Sequence, residues 1–297
     1  NAEIRVASGT YTPTAAPNGS TNNRDNAFHF NKNLVLKGSY NPGTVNQDFT
    51  NPSILSGDFN DDDVITGSGS TLSITGNSEN AYHVLITVDL TSAAQIEGFL
   101  ITGANGSHDS DWIVVSYSGE TLINVFGGGM INISSSPSIV NMVFSGNYAS
   151  FYGGGMSNVD NSSPSIVNTV FSGNHANLEA GGMINENASS PSIVNTVFSG
   201  NEGIRGSVGG MRNDASSPSI VNSTFSGNSA NVFLDDDEQR GGIYNINSSA
   251  PTIYNSVFYG NGEDITNDTN ATATGGNNYS ENFTGTGFTA LDADPFI

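Results

Sequence analysis

Short apolar runs separated by Gly, Asn and Ser recur with a fixed spacing through the middle of the chain. Between residues 127 and 261, one pattern is repeated five times: a Gly-Gly pair with an apolar residue, an Asn two positions later, a Pro-x-Ile segment, a Phe and a closing Gly-Asn. The phenylalanines of the five copies are Phe144, Phe171, Phe198, Phe225 and Phe258. Their residue numbers differ by 27 three times and then by 33. A fixed period in this range predicts a solenoid.

The apolar runs within each copy indicate strands rather than helices. Each run is about four residues long and is bounded by turn-forming residues, and no apolar spacing of three and four persists. Three runs per copy predict a triangular coil, and stacked coils would form parallel sheets with equivalent residues about 4.8 Å apart. We therefore predict an all-β, right-handed parallel β-helix with roughly nine to ten coils, from the chain length and repeat period.

Stacking would place identical side chains above one another in columns. The isoleucines of the Pro-x-Ile segments would form one such column and the phenylalanines another, which together bury apolar area that a single coil could not hide. A third column consists of asparagines between two strands: Asn141, Asn168, Asn195, Asn222 and Asn255. Asparagine tolerates the left-handed conformation of a sharp corner, and stacked amides can hydrogen-bond to one another.

The GGGM or GGM, SPSIVN and FSGN segments resemble the repeats of right-handed parallel β-helix proteins of bacterial surfaces. They are similar to anchored surface β-helix proteins and to polymorphic outer-membrane protein repeats. The resemblance covers Gly127–Asn261 well and the preceding residues more loosely. It implies a secreted or cell-surface location and a family that includes adhesins and presumed carbohydrate-active proteins.

The N-terminal third is predicted to have the same architecture with less regular repeats. Apolar strands precede Gly9-Thr10-Tyr11 and the similar Gly38-Ser39-Tyr40, which indicates the first two coils. Ile96 and Ile101 are spaced like Ile139 and Phe144, which predicts another coil in register with the main stack. We expect a single domain over 1–297, with irregular coils in 1–126, five regular repeats in 127–261 and an irregular segment in 262–297.

Composition narrows the range of partners. The chain has 28 acidic residues against 7 Lys and Arg, for a net charge of −21, which disfavours nucleic acids and anionic membranes. It has no Cys, and no apolar run approaches the roughly 20 residues that cross a bilayer. Direct membrane insertion is therefore not expected. Because the chain begins at Asn1 without a signal segment, we interpret it as part of an extracellular protein.

A run of acidic residues, Asp58 to Asp63, resembles the opening of a calcium loop because oxygen ligands alternate along it. The Gly expected at its sixth position is absent, and no Glu stands at the twelfth, so it is not an EF-hand. We predict a Ca²⁺ site with Asp58, Asn60 and Asp62 as ligands. The alternative is a solvated acidic turn, which is also our interpretation of Asp235–Glu238.

Two carboxylates should face each other across neighbouring coils. Glu186 and Asp214 each lie three positions after the Met of adjacent repeats, and Asp160 is close in the repeat cycle. Such a pair could serve a retaining glycosidase or raise the pKa of one member for acid catalysis. The alternative is an exposed charge cluster that Arg212 neutralises. The four histidines share no column and have no metal-ligand spacing, so structural roles are expected for them.

Aromatic residues outside the predicted core columns could bind sugars, since a ring face packs on the apolar face of a pyranose. The candidates are Trp112, Tyr117, Tyr148, Tyr152 and Phe233. Loop aromatics folded over the stack are the alternative.

These observations favour a non-catalytic, secreted or cell-surface scaffold or adhesin that presents loops to a glycan or a surface protein. A carbohydrate-active β-helix enzyme, either a polysaccharide lyase or a glycoside hydrolase, is the second hypothesis. The third is a structural stalk or filament subunit, because parallel sheet edges allow end-to-end self-association.

Overall fold

The computed structural model describes residues 2–107, 114–117, 120–123, 127–204, 208–231, 240–268, 270–283 and 287–290. In 114–117 and 120–123 it describes the backbone alone. Among the described residues the chain is all-β apart from three short 3₁₀ turns, Asn23–Asp25, Gly69–Thr71 and Asn77–Glu79. None of its described helices has the length and apolar character needed to cross a bilayer.

The strands before the regular repeats are β1 (Glu3–Ala7), β2 (Gly9–Tyr11), β3 (Phe28–Phe30), β4 (Val35–Tyr40), β5 (Ser53–Ser56), β6 (Val64–Thr66), β7 (Ser73–Thr75), β8 (Leu85–Val88), β9 (Gln95–Glu97), β10 (Phe99–Thr102), β11 (Asn105–Gly106), β12 (Val114–Tyr117) and β13 (Glu120–Ile123). The repeats contain β14 (Met130–Ile133), β15 (Ser138–Val140), β16 (Val143–Ser145), β17 (Tyr148–Ala149), β18 (Met156–Val159), β19 (Ser165–Val167), β20 (Val170–Ser172), β21 (His175–Ala176), β22 (Met183–Glu186), β23 (Ser192–Val194), β24 (Val197–Ser199), β25 (Glu202–Ile204), β26 (Met211–Asp214), β27 (Ser219–Val221), β28 (Thr224–Ser226), β29 (Ser229–Asn231), β30 (Ile243–Ile246), β31 (Thr252–Tyr254) and β32 (Val257–Tyr259). The last strands are β33 (Ile265–Asn267), β34 (Thr274–Gly276), β35 (Asn278–Ser280) and β36 (Phe288–Ala290).

Four parallel sheets run along the stack, and we name each after the residues it contributes. The isoleucine sheet has the order β1-β4-β9-β15-β19-β23-β27-β31-β34, and the phenylalanine sheet has the order β2-β5-β10-β16-β20-β24-β28-β32-β35-β36. The methionine sheet is β3-β8-β14-β18-β22-β26-β30-β33, and the short sheet is β11-β17-β21-β25-β29. In each of the first four regular repeats the chain visits the methionine, isoleucine, phenylalanine and short sheets in turn, whereas the fifth adds a strand only to the first three. This confirms the predicted parallel β-helix.

The register places like residues opposite like, as the repeat predicted. Ile139 pairs with Ile96 on one side and Ile166 on the other, and Phe144 pairs with Ile101 and Phe171. The five repeat phenylalanines form a stack with ring centroids 4.6–4.9 Å apart and ring planes within 8° of parallel. All of these side chains belong to one continuous buried core that spans the repeats.

The N-terminal coils join the same stack. Ile4 pairs with Leu36 in the isoleucine sheet, and Leu36 pairs in turn with Ile96. Ile96 pairs with Ile139, which confirms the predicted register between the irregular coils and the main repeats.

Two ladders of asparagine run through the interior. From Asn132 to Asn245 in one ladder, and from Asn147 to Asn261 in the other, no asparagine is more than 2% exposed. In the methionine-sheet ladder, each amide Nδ2 donates to the Oδ1 one coil along at 2.8–2.9 Å. In the second ladder, which begins at Asn147, an amide also donates to a backbone carbonyl, as Asn174 does to Phe144 at 2.9 Å. Buried polar groups are costly unless hydrogen-bonded, so the ladders need one residue type and one register.

The exposed corner between the isoleucine and phenylalanine sheets carries the asparagine column that the sequence predicted. Its five members have φ between +51° and +53°, as the left-handed corner requires. Amide hydrogen bonds of 3.2 Å join Asn168 to Asn141 and Asn195 to Asn168. The prediction of left-handed, stacked asparagines is confirmed.

The coiling continues past Asn261, where the sequence repeat fades. β33, β34 and β35 add to the methionine, isoleucine and phenylalanine sheets. Asp264, which is fully buried, accepts the Asn261 amide at 2.9 Å and ends the second ladder. Its other oxygen accepts from the Ser280 hydroxyl at 2.7 Å and from two backbone N–H groups.

One excursion lies back along the stack, and we call residues 57–80 the arm. It contains the antiparallel hairpin β6–β7. The Gly69 N–H donates to the carbonyl of Gly200 at 2.9 Å, and Ile65 and Leu72 lie against Gly146 and Gly173. The arm therefore crosses several coils along the glycines that follow the phenylalanine-sheet strands.

The phenylalanine stack should dominate stability. We expect Phe198→Ala to lower the free energy of unfolding by about 3–5 kcal/mol, because it opens a cavity in a fully buried column. Ser199→Ala, at the next residue on the outer side of the same strand, should change it by less than about 0.5 kcal/mol. Urea denaturation followed by circular dichroism measures both. Equal losses in the two variants would contradict the stacked interior.

Alanine substitutions at two glycines distinguish the effect of backbone strain from the effect of contact with the arm. Gly200 and Gly227 have φ of +61° and +60°, so alanine should cost about 1–2 kcal/mol at either. A Cβ at Gly200 would also lie 2.9 Å from that of Ser68 in the arm, whereas one at Gly227 would meet nothing within 4 Å. We expect Gly200→Ala alone to speed protease cleavage within the arm, with Gly227→Ala as the matched control. Equal cleavage rates would show that the arm does not rest on Gly200.

Candidate functional sites

Glu186 and Asp214 are opposite each other in neighbouring strands of the methionine sheet, which confirms their predicted juxtaposition. Both side chains are partly buried on the outer side of the sheet. Arg212 lies between them, with Nη2 3.2 Å from Asp214 Oδ2 and Nη1 3.7 Å from Glu186 Oε1. Arg212 also contacts the carboxylate of Glu179, a residue that the sequence analysis did not identify.

This cluster has more negative than positive charge, and burial acts on the pKa of two of its carboxylates. Burial raises the pKa of Glu186 to about 7, against the opposing effect of Arg212. Asp160, whose carboxylate accepts from Asn187 at 3.3 Å, is close enough to add to that rise. Burial also raises the pKa of Glu179. Asp214 is held further by the amide of Asn247 at 2.7 Å.

The environment of Asp214 limits what the pair can do. A retaining glycosidase needs one carboxylate free to attack the sugar and another protonated to assist the leaving group. Here Asp214 is bound by Arg212 and Asn247, and Arg212 is only 8% exposed. Arg212 therefore pairs with the acidic residues as the alternative expected, but the cluster is partly buried rather than exposed and one arginine faces three carboxylates.

A second acidic cluster lies at the foot of the arm. Asp58 Oδ1 accepts the backbone N–H groups of Asn60 and Asp61 at 3.1 and 2.7 Å, and Asp58 Oδ2 accepts that of Asp63 at 3.1 Å. Asp58, Asp62 and Glu79 each bring a carboxylate oxygen to within 4.8 Å of the other two. The side chain of Asn60 is exposed. Glu79, from the far end of the arm, was not among the predicted ligands.

Burial and charge also act on the pKa of two carboxylates in this region. Burial raises the pKa of Asp63 to about 6, and the neighbouring carboxylates add to the shift, whereas a hydrogen bond from Asn80 opposes it. Burial likewise raises the pKa of Glu79.

Two of the predicted sugar-binding aromatics lie against the stack. The ring of Tyr148 stacks on His175 at 5.2 Å, and its hydroxyl accepts a hydrogen bond from Asn177. Tyr152 packs against a small apolar cluster that includes Ile184. Trp112, Phe233, the side chain of Tyr117 and the acidic run Asp235–Glu238 lie outside the described residues.

His83 and His175 have structural surroundings. His83 is buried, and its Nδ1 is 3.1 Å from the carbonyl of Gly127, so Nδ1 must carry the proton that it donates. Burial lowers the pKa of His83 to about 4. His175 bonds Glu202 at 2.9 Å through Nδ1.

Sequence reasoning overlooked two tyrosines that are exposed near the C-terminal end of the stack. Tyr254 and Tyr279 are 47% and 48% exposed. Tyr254 replaces the valine that the other four repeats carry after their isoleucine, and Tyr279 pairs with Val257. Tyr254 could have been identified from the sequence, because it is an aromatic residue at an outward strand position that is valine in the other repeats.

The two tyrosines flank the corner column of asparagines. The ring of Tyr254 lies over Gly276 of the next coil, and Asn277 donates to Asn255 at 3.2 Å. Both asparagines are exposed. We call Tyr254, Asn255, Asn277 and Tyr279 the tyrosine corner.

A groove of about 460 Å³ separates the arm from the outer side of the phenylalanine sheet. Ser145, Ser172, Ser199 and Ser226 form one wall, and Ile65 and Ser68 of the arm belong to the other. None of the described residues that line it is titratable. The groove therefore offers hydroxyl groups and apolar contacts but no acid or base.

The fold and these sites define a parallel β-helix repeat protein with polar outer faces. Comparison with protein-family models, with curated proteins and with solved structures found no match to this chain.

The pKa of Glu186 gives a pH prediction. Its folded value of about 7 exceeds its ordinary value of 4.5, so the stability it contributes is complete below about pH 4.5 and is lost as the pH rises through 7. Glu186→Gln should therefore be more stable than the parent at pH 8, by up to about 3 kcal/mol, and equal to it at pH 4.5.

Urea denaturation at both pH values measures this difference, with Glu281→Gln at an exposed carboxylate as the control. A variant that is less stable than the parent at pH 8 would show that the ion pair with Arg212 outweighs the cost of burial.

Proposed function

We propose that this chain is a non-catalytic, secreted or cell-surface β-helix scaffold that binds a neutral glycan at the tyrosine corner. The observation that carries the proposal is the half-exposure of Tyr254 and Tyr279 on either side of exposed asparagines. Exposed aromatic rings stack on the apolar faces of sugar rings, and neighbouring amides supply donors and acceptors for the hydroxyl groups.

The corner is also well suited to a rigid binding surface. Tyr254 and Tyr279 stand on strands β31 and β35, and the asparagines between them sit at corners fixed by left-handed backbone conformations. Each carboxamide has more hydrogen-bonding capacity than the single bond between Asn277 and Asn255 uses. Ligand binding would therefore require little ordering of the protein, which favours affinity.

The charge of the chain supports a neutral ligand. With a net charge of −21, the protein repels uronic-acid polymers and other strongly anionic chains. A neutral oligosaccharide is free of that repulsion.

The inactivity part of the proposal is supported by the carboxylate cluster of Glu179, Glu186 and Asp214. Arg212 contacts all three carboxylates, so the acidic pair predicted for catalysis does not lie alone in an open cleft. The groove beside the arm has no titratable lining among its described residues.

A carbohydrate-active enzyme is the second candidate function. The raised pKa of Glu186, about 7, is what a general acid needs at neutral pH, and Asp214 is its partner one coil away. In that case hydrolysis would occur at the methionine sheet, and Glu186→Gln would abolish it.

A glycan array tests the scaffold proposal. We expect the parent chain to bind one class of neutral oligosaccharide, and Tyr254→Ala and Tyr279→Ala each to weaken binding at least tenfold. Tyr11→Ala, at another exposed tyrosine, is the matched control and should bind like the parent. Full binding by both corner variants would refute the site.

Incubation of each bound glycan with the protein, followed by chromatography, tests for cleavage. We expect no released fragments. Products that disappear in Glu186→Gln would replace the scaffold with the enzyme.

A further inference from the structure

Buried oxygens without hydrogen-bond donors are concentrated at the foot of the arm. They are Asp63 Oδ1, Glu79 Oε1, Asn80 Oδ1 and Asn105 Oδ1. An acceptor buried without a donor is costly, so four in one region point to a missing positive partner.

These oxygens belong to one connected region. Asn80 is completely buried, and its Nδ2 donates to Asp63 Oδ2 at 2.8 Å, so its carboxamide lies against the acidic cluster. Asn105 is 5% exposed, and its Nδ2 donates to the carbonyl of Asn77 at 2.6 Å, in the turn that contains Glu79.

The orientation of the Asn80 amide is fixed by its neighbour. Rotating the carboxamide by 180° would place Oδ1 against the carboxylate of Asp63, where two acceptors would repel each other. The unpartnered atom is therefore the oxygen. A completely buried carbonyl oxygen beside carboxylates is what a hard cation binds.

The carboxylates themselves converge from both ends of the arm. Asp58 and Asp62 belong to its outgoing segment and Glu79 to its returning segment, yet their ligand oxygens lie within 4.8 Å of one another. Asp58 has its place fixed by the backbone N–H groups it accepts, so it is preorganised to offer a remaining lone pair.

Arg24 brings a positive charge to this region, where it binds backbone carbonyls. Arg24 Nε donates to the carbonyl of Asn80 and Arg24 Nη2 to that of Asn105, both at 2.9 Å. The guanidinium thereby anchors the two segments while leaving their side-chain oxygens as acceptors.

We propose that Asp58, Asp62 and Glu79, assisted by the carboxamide oxygen of Asn80, bind a divalent cation that joins the two ends of the arm. The donor set is entirely oxygen and mixes carboxylates with a carboxamide, which suits Ca²⁺ rather than a metal that prefers nitrogen or sulfur. This ligand set differs from Asp58, Asn60 and Asp62, the ligands predicted from the sequence. It includes Glu79, which lies near the other carboxylates only in the folded arm.

Isothermal titration of the EDTA-treated full chain with CaCl₂ tests the site. We expect one Ca²⁺ per chain, and at least tenfold weaker binding in Glu79→Gln and in Asp62→Asn. Asp48→Asn is the matched control, because Asp48 accepts hydrogen bonds from Thr50 in another exposed turn and lies outside the cluster. Its affinity should equal that of the parent.

Differential scanning fluorimetry supplies a second readout on the same proteins. Ca²⁺ should raise the unfolding temperature of the parent and of Asp48→Asn, and should raise that of Glu79→Gln less, by mass action. Circular dichroism confirms that each variant is folded. Absence of binding up to millimolar Ca²⁺, or unchanged affinity in Glu79→Gln, would overturn the proposal.

Discussion

In the two interior ladders of the β-helix, each asparagine before the last donates its side-chain amide to the asparagine one coil along. In the methionine sheet this chain of bonds extends from Asn132 to Asn267. A slip of one residue in any strand would turn its asparagine outward and leave its neighbours with unpaired buried amides. The ladders therefore fix the register, and the phenylalanine and isoleucine columns supply the apolar area that stabilises it.

A stack fixed in this way allows its surface to vary. The arm of residues 57–80 packs along the glycines of four coils without altering their strands, and the aromatic substitution at Tyr254 leaves the isoleucine beneath it in place. Sites consequently arise on the outer faces, where excursions and individual outward residues meet a regular surface.

Two acidic clusters show how the repulsion between like charges is offset on such a surface. On the methionine sheet, one arginine is inserted among Glu179, Glu186 and Asp214. At the foot of the arm, Asp58, Asp62 and Glu79 converge and the nearby Arg24 binds backbone carbonyls. Partly buried carboxylates repel unless a cation or proton intervenes. The first cluster therefore fits a structural unit held together by Arg212, and the second fits the cation site that we propose.

The sequence by itself determined the solenoid, three of its four strand types, the isoleucine and phenylalanine columns and the left-handed corner asparagines, because each is a property of one repeat copied at a constant spacing. The short sheet was not among the predicted strands. The sequence also placed Glu186 opposite Asp214, since both occupy one position in adjacent copies. Only the tertiary structure brought Glu179 to Arg212 and Glu79 to Asp58. Glu179 lies in a link between repeats, and Glu79 and Asp58 lie in the arm. The paths of these segments depend on packing between parts of the chain that are distant in sequence, so the repeat period does not predict them.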